Sequence, residues 1–377
     1  MKKNLRNILA LALGLMTTVS FAQDMNVDSR TRIDMGGEGD RMSTSQRITV
    51  GTNWGGENWG IVLSSDVNYT TNDGTNASML GSNLNANVFE AYATTDLFGF
   101  ATMNIGRQAL QYGSGNIIGQ NDWNANRKTM DGMTFAIDND LVGLDLGLNS
   151  ASGDNASMGS LDEMWLNASK ASGDWSANLL YLSQSVNDGE ANTWMGLDFV
   201  YSAMGGQLDL NASYNTSSFN ANDGAGIVDG DMMDISGTYN VSDGMSLTAG
   251  MNSIGESGYA YSGLGNMQTT YGSIDEDGLE VSETFSGFDS NGNLGMLGPN
   301  DENLYIGGTY NMGDFSLSAT MHTITNTELE GERKVSDITV GYSLNDNAGL
   351  SYRMVNDDNG GEGAETLFNW LTLTVTP

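Results

Sequence analysis

The chain has 377 residues with 14 Lys+Arg against 47 Asp+Glu and one His, a formal net charge of -33. A surface of that sign repels nucleic acid and anionic lipid head groups, so no nucleic-acid partner is expected. With no Cys, two Pro and 50 Gly, disulfides and thiolate chemistry are excluded, and the chain is free to turn often without breaks in backbone pairing.

The first 22 residues read as a leader. Lys2, Lys3 and Arg6 form a basic start, Ile8 to Met16 is an apolar run broken only by Gly14, and Ser20-Phe21-Ala22 places small residues at a cleavage site. The apolar run is too short to cross ~30 Å of hydrocarbon as a helix. A secretory signal peptide over 1–22 and a mature chain over 23–377 are therefore expected. Without the three basic residues of the leader, 11 basic and 47 acidic side chains remain, a net of -36.

From Gln23 onward the pattern has period two. Val142, Leu144, Leu146 and Leu148 fall on one face, and Gly143, Asp145, Gly147 and Asn149 on the other; Leu208 to Tyr214 and Met233 to Tyr239 repeat the alternation. Reading this way predicts strands near 25–36, 41–55, 58–71, 85–97, 100–112, 128–139, 142–152, 162–172, 175–187, 191–204, 206–218, 230–242, 245–256, 302–312, 314–326, 334–345, 348–357 and 365–377. The number is even and the lengths suit tilted membrane strands.

Connections alternate in length. Tight turns fall at Gly56-Glu57, Phe98-Gly99, Asp140-Leu141, Gly173-Asp174, Gly205, Asp243-Gly244, Gly313 and Asp346-Asn347. Between them lie longer connections, among them Asn72–Leu84, Gly113–Arg127, Gly153–Leu161, Phe219–Asp229 and Ser257–Asp301. Trp54, Trp59, Phe98, Phe100, Trp175 and Phe315 all stand at or beside tight turns, where an interfacial aromatic girdle belongs. The fold class expected is all-β: a transmembrane antiparallel barrel of about 18 strands, with short turns facing the periplasm and long loops facing outward.

Parity then assigns the interior. Arg30, Arg32, Arg47 and Arg353 point inward from the first, second and seventeenth predicted strands, which become neighbours once the barrel closes. Glu90, Asp198, Asp209 and Asp234, with Asp66, Asp96 and Asp145, point inward elsewhere. A basic wall facing an acidic one produces a transverse field that orients polar solutes and penalises apolar ones.

One stretch carries a family likeness. Gly106-Arg107-Gln108, Tyr112-Gly113, Ile118-Gly119, Asp122-Trp123-Asn124, Arg127 and Asp131-Gly132 resemble a block of the alginate-export-like outer-membrane porins. The resemblance covers under 30 residues and implies an eighteen-stranded barrel. It also implies that Arg107 and Arg127 line or rim the pore and that Gly113 to Asn126 is an ordered extracellular loop. Strict alternation after Met103 and Ile105 sends Arg107 outward instead; a bulge at Gly106 would bring it in. The chain also ends Val375-Thr376-Pro377 rather than in Phe.

Other chemistry finds little support. His322 alternates with Ser318 and Thr320 on an inward face, a lone histidine without the ligands of a zinc site. Asp275-Glu276-Asp277-Gly278 and Asp289-Ser290-Asn291-Gly292-Asn293 place oxygen ligands around glycines without completing an EF-hand, leaving loop calcium as an option and no other cofactor. Strand pattern begins close to Gln23, so no plug domain is expected before it. No catalytic residue is assigned.

The function expected is a passive aqueous channel for small polar or charged solutes, embedded among outer-membrane lipid and lipopolysaccharide. A polyanion exporter like the family's namesake and a non-conducting scaffold or surface receptor are the alternatives. The seven acidic and no basic residues of Ser257–Asp301 make an unwelcoming mouth for a polyanion. Tyr259, Tyr261, Tyr271, Phe285 and Phe288 in the same stretch call for a surface to pack against, and the barrel mouth is the nearest.

Overall fold

The structure, a computed structural model, describes residues 23–36, 42–71, 85–123, 127–137, 139, 141–151, 161–186, 190–221, 226–266, 274–275, 278–279, 294–295, 297–327, 332–358 and 365–376. Its strands are β1 (Gln23–Asp34), β2 (Ser43–Gly55), β3 (Trp59–Thr71), β4 (Asn85–Leu97), β5 (Ala101–Gln108), β6 (Met130–Ile137), β7 (Gly143–Ala151), β8 (Leu161–Ser172), β9 (Trp175–Val186), β10 (Asn192–Ala203), β11 (Leu208–Ala221), β12 (Gly226–Ser242), β13 (Met245–Ile254), β14 (Ile274–Asp275), β15 (Gly278–Leu279), β16 (Asp301–Met312), β17 (Phe315–Asn326), β18 (Glu332–Asn345), β19 (Ala348–Asp358) and β20 (Glu365–Val375). Apart from the isolated β14–β15 pair, eighteen strands form one antiparallel sheet. It closes where β1 pairs with β20, from Ser29 opposite Val375 to Asp34 opposite Trp370. Closure leaves the described eighteen-strand sheet without a free edge strand.

The alternation of the sequence explains both surfaces. Leu146, Leu148, Met164, Leu166, Leu179, Met195, Leu197, Leu304 and Ile306 are exposed on the outer face. Trp59, Phe98, Phe100 and Trp175 ring the short-turn end, all exposed. The first and last described residues lie at that same end: Gln23 pairs with Trp54, and the Thr376 amide donates to the Asn347 carbonyl at 2.8 Å.

The inner face departs from the expected uniform polarity. Trp165, Leu180, Leu182, Trp194, Ile254 and Ile324 on one side, and Val335, Val355 and Trp370 on the other, are all buried. They are covered by chain from two long connections. Ile117 and Ile118 from the β5–β6 connection, with Tyr259, Tyr261 and Leu297 from the β13–β16 connection, pack on the first group. Trp123 and Leu294 pack on the second. The core of this protein therefore sits inside the barrel, between loops and wall.

Two expected boundaries shift for related reasons. The strands expected over 100–112 and 128–139 are shorter, β5 ending at Gln108 and β6 running from Met130. The ladder stops because the Ala109 amide turns to the Glu90 carboxylate at 3.4 Å and the chain departs inward. The loop expected over Phe219–Asp229 is instead largely hairpin: β11 and β12 continue pairing to Ala221 opposite Gly226. The signal peptide, Tyr271, Phe285, Phe288 and the second calcium-like segment lie outside the described residues, as do the side chains of Asp275–Gly278.

Candidate functional site

Four of the predicted arginines meet at the closure seam. Arg30 and Arg47 are direct cross-strand partners on β1 and β2. Arg353 on β19 stands opposite Trp370 of β20, and Trp370 in turn stands opposite Asp34 of β1. Arg127, just before β6, joins them through Asp66 of β3 and Thr49 of β2.

What gathers them is Asp122-Trp123 of the inward-folded loop. Arg30 Nη1 donates to the Asp122 carbonyl at 2.7 Å, and Arg47 Nη1 donates to the same oxygen at 3.1 Å. Arg47 Nη2 reaches the Asp122 carboxylate at 3.1 Å, and Arg127 Nη1 approaches it at 3.7 Å. Arg32 donates to the Trp123 carbonyl at 3.0 Å and lays its guanidinium over the Trp123 ring at 3.7 Å. Arg353 covers the same ring at 4.5 Å. Trp123 meets Trp370 edge-on, ring centres 5.9 Å apart. The wall is thus a stack of guanidinium groups on aromatic faces, and the attraction compensates for crowding like charges. Arg32 and Arg47 are 8% and 6% exposed, whereas the Asp122 side chain is 71% exposed.

The carboxylates that balance this wall are few. Asp66 takes a two-pronged contact from Arg127, 2.6 and 3.0 Å, and a further hydrogen bond from Thr49 at 2.8 Å. Asp337 takes the equivalent contact from Arg353, at 2.6 Å to Nη2. A β-bulge supports the first pair. Ser64 faces Glu90 while Ser65 faces Val88, so Phe89 is an extra residue in β4. Phe89 is buried, and the Arg127 guanidinium lies over its ring at 3.3 Å.

Asp198, Asp209 and Asp234 stand on the far wall and Asp145 on β7, and they accept from neutral donors. Asp198 accepts from the Ser114 amide at 3.1 Å. Asp209 accepts from Ser202 at 2.5 Å and from Asn240 at 3.3 Å. Asp234 accepts from Asn252, and Asp145 from Asn167 at 3.5 Å. Glu90 holds the departing loop, and Asp96 instead caps its tight turn through the Gly99 amide at 2.8 Å. Between Gly113-Ser114 and this wall is a recess of about 650 Å³, lined by Asn116, Asn178, Asp198, Asp234 and Tyr305 among others. The loop tip approaches the wall so closely that a Cβ at Gly113 would lie 1.8 Å from Asp198 Oδ2, and its φ of +51° also favours glycine.

Arg107 is a correction. It shares the parity of exposed Ile105 and stands on the outer face, bound through two contacts to Asp131, its cross-strand partner, at 2.6 and 2.7 Å. Gly106 does not form the bulge that would turn Arg107 inward; the bulge is one strand away, at Phe89, and Arg107 Nη1 donates to Val88 beside it at 3.4 Å. His322 contacts Asn303 Oδ1 at 3.3 Å and lies 5.6 Å from the Tyr305 ring.

A second connection braces the first. The Gly119 amide donates to the Leu264 carbonyl at 2.9 Å and the Asn266 amide to the Gly115 carbonyl at 2.8 Å. Asn121 Nδ2 donates to the Asn266 carbonyl at 2.7 Å, and Lys128 Nζ donates to the carbonyls of Gly263 and Gly265 at 2.6 and 2.7 Å. Burial pushes the Lys128 ammonium down to about 8. The Trp194 indole fixes the far end through the Ala260 carbonyl at 2.6 Å. Two aromatics of the longest connection, Tyr259 and Tyr261, are therefore packed inside the barrel.

The closed eighteen-strand barrel has counterparts among solved structures. The chain shares the fold of OpdK. That outer-membrane protein of Pseudomonas aeruginosa, solved with vanillate, superposes with a TM-score of 0.69 at 11% identity, over 94% of this chain and 98% of its own. OccK5 (OpdH) of the same organism gives 0.66 at 12%, over 94% and 97%. OccAB1 of Acinetobacter baumannii gives 0.65 at 12%, over 94% and 96%. No family model matches the sequence, and no curated protein matches it.

Proposed function

We propose that the protein is an outer-membrane porin, a passive aqueous channel for small polar or charged solutes, placed in the envelope after removal of residues 1–22. One observation carries this reading: Arg30, Arg32, Arg47, Arg127 and Arg353 converge on the inward-folded Asp122-Trp123 segment, while Asp198, Asp209 and Asp234 stand on the opposite wall. Charges of opposite sign across a narrow lumen orient a dipolar or ionic solute and replace part of its hydration, and they reject an apolar one. The fold likeness supports the same reading, and two of the proteins that share it, OpdK and OccK2 (OpdF), were solved with vanillate and with glucuronate. The apolar belt and aromatic ring of the outer face fit a lipid surround. Arg107, on the outer face, has no part in the solute path.

The test is planar-bilayer recording on refolded protein, with and without a salt gradient. Discrete conductance steps and a reversal potential that changes with ionic strength are expected. A refolded, heat-modifiable barrel that conducts nothing would favour an envelope scaffold or surface receptor. Conductance blocked or carried by alginate-like polyanions would favour the exporter that the short sequence resemblance implies.

A further inference from the structure

A channel conducts a solute only where binding is weak enough for release. A wall of gathered guanidinium groups works against that for anions, and the chain places a carboxylate of its own before two of them. Asp122 Oδ1 lies 3.1 Å from Arg47 Nη2 and 3.7 Å from Arg127 Nη1. Both guanidinium groups are buried, whereas most of the Asp122 side chain is exposed. Arg47 stands on the inward face of β2, opposite Arg30 of β1, so the carboxylate that touches it lies on the inner side of the wall.

Asp66 and Asp337 are placed differently. Asp66 is buried and takes a two-pronged contact from Arg127. Asp337 takes the equivalent contact from Arg353. Each sits on a strand and pairs closely with one arginine, while Asp122 sits on the folded-in loop and stands before two.

The charge of Asp122 is not what positions that loop. Its backbone carbonyl accepts from Arg30 at 2.7 Å and from Arg47 at 3.1 Å. The Trp123 carbonyl accepts from Arg32 at 3.0 Å. Asn121, with φ of +47°, donates through Nδ2 to the Asn266 carbonyl at 2.7 Å. Contacts to the main chain fix the segment, and an ion pair with an exposed member adds little to its stability. An asparagine or serine at position 122 would be held by the same carbonyl.

We propose that Asp122 is a specificity-determining residue of the arginine wall, a resident anion that occupies the approach to Arg47 and Arg127 and lets anionic solutes pass instead of being retained. An oxyanion arriving there meets a negative charge before it reaches the guanidinium groups, and the positive end of a zwitterion meets attraction. The inference deepens the channel reading and rests on it.

The test is calorimetric titration of inorganic phosphate into refolded protein in a non-ionic detergent at low salt, with bilayer recording beside it. Asp122→Asn should bind one phosphate about tenfold more tightly than the wild type, a ratio that about 1.4 kcal/mol produces. Adding Arg47→Ser should remove the gain. In the bilayer, Asp122→Asn should move the reversal potential toward anions, and phosphate on one side should reduce the chloride current saturably. Asp209→Asn on the far wall should move the reversal potential without creating a phosphate site. Resistance to protease near residues 113–123 checks that the loop stays docked, and Asp122→Ser replaces the first variant if it does not. Equal phosphate affinity in wild type and variant overturns the proposal. So does a gain that survives Arg47→Ser or appears equally in Asp209→Asn. A barrel that gains phosphate affinity as expected and conducts nothing upholds the resident anion and counts against the channel reading alone.

Discussion

Replacing Ile117 and Ile118 together by Ser should detach the inward loop without opening the barrel wall. Both side chains are essentially fully buried, and they pack among Trp165, Leu180, Leu182 and Trp194. Burying such a side chain contributes about 1.5–3 kcal/mol, so the pair accounts for about 3–6 kcal/mol of docking. Two buried hydroxyls without partners would add about 1–3 kcal/mol each to the penalty. Set against this are the loop–loop hydrogen bonds, each contributing about 0.5–1.5 kcal/mol. A net shift near 4 kcal/mol changes the ratio of docked to undocked loop by roughly a thousandfold. The eighteen-strand ladder is untouched, because the lost contacts run between loop and wall. Single-channel conductance should rise, and protease should cut near residues 113–123, in a barrel that still migrates as folded on unheated gels. Unchanged conductance with an uncut loop would show that the hydrogen bonds and the Trp123 stack alone hold it, and the role assigned to the apolar inner face would fall.

Replacing Arg30, Arg32, Arg47 and Arg353 by Ser should widen the channel and move its selectivity toward cations, read as a shifted reversal potential; no shift would place these arginines off the conducting path. Asp66→Asn strands a guanidinium whose partner carboxylate is 4% exposed, and it should cost about 3–5 kcal/mol, measured as a lowered urea midpoint. Lys128 adds a pH dependence. Its ammonium is pushed down to about 8, so between pH 8 and the free-lysine value of 10.5 the undocked state binds more protons than the docked one. Docking of 257–266 should strengthen as pH rises through that window, seen as slower proteolysis, and Lys128→Met should abolish the trend. A wild-type protein with flat proteolysis from pH 7.5 to 10.5 would contradict it.

The barrel was legible because its two signals, period two and alternating connection length, are properties of neighbouring residues. The arginine wall was legible for the same reason: parity puts Arg30, Arg32 and Arg47 on one face, and closure brings Arg353 beside them. What organises those arginines was not. Asp122-Trp123 reaches Arg30 and Arg47 across 92 and 75 positions of sequence and Arg353 from still farther, and no local pattern announces those contacts. The inward apolar residues obeyed parity too, but Trp165 and Leu182 look unremarkable until a loop is seen to cover them. Arg107 and Asp131 show the opposite lesson. The short family-like block does mark a built feature, since Gly106 faces Gly132 and Arg107 faces Asp131. That feature is a lock at the base of the loop on the outer face, and only alternation, not the resemblance, pointed there.

The seam between β1 and β20 has a consequence for the charged wall. Its partners are the first and last of the described barrel strands, so Arg30, Arg32 and Arg47 of the β1–β2 hairpin are brought beside Arg353 only where the sheet closes. The Asp122-Trp123 segment docks on a surface that spans this seam, touching Arg30 and Arg47 on one side of it and Arg353 on the other. An incompletely closed barrel would therefore lack both its charged wall and its folded-in loop, and would leak without discrimination. For the proposed channel, selectivity would depend on the same pairing that completes the circumference.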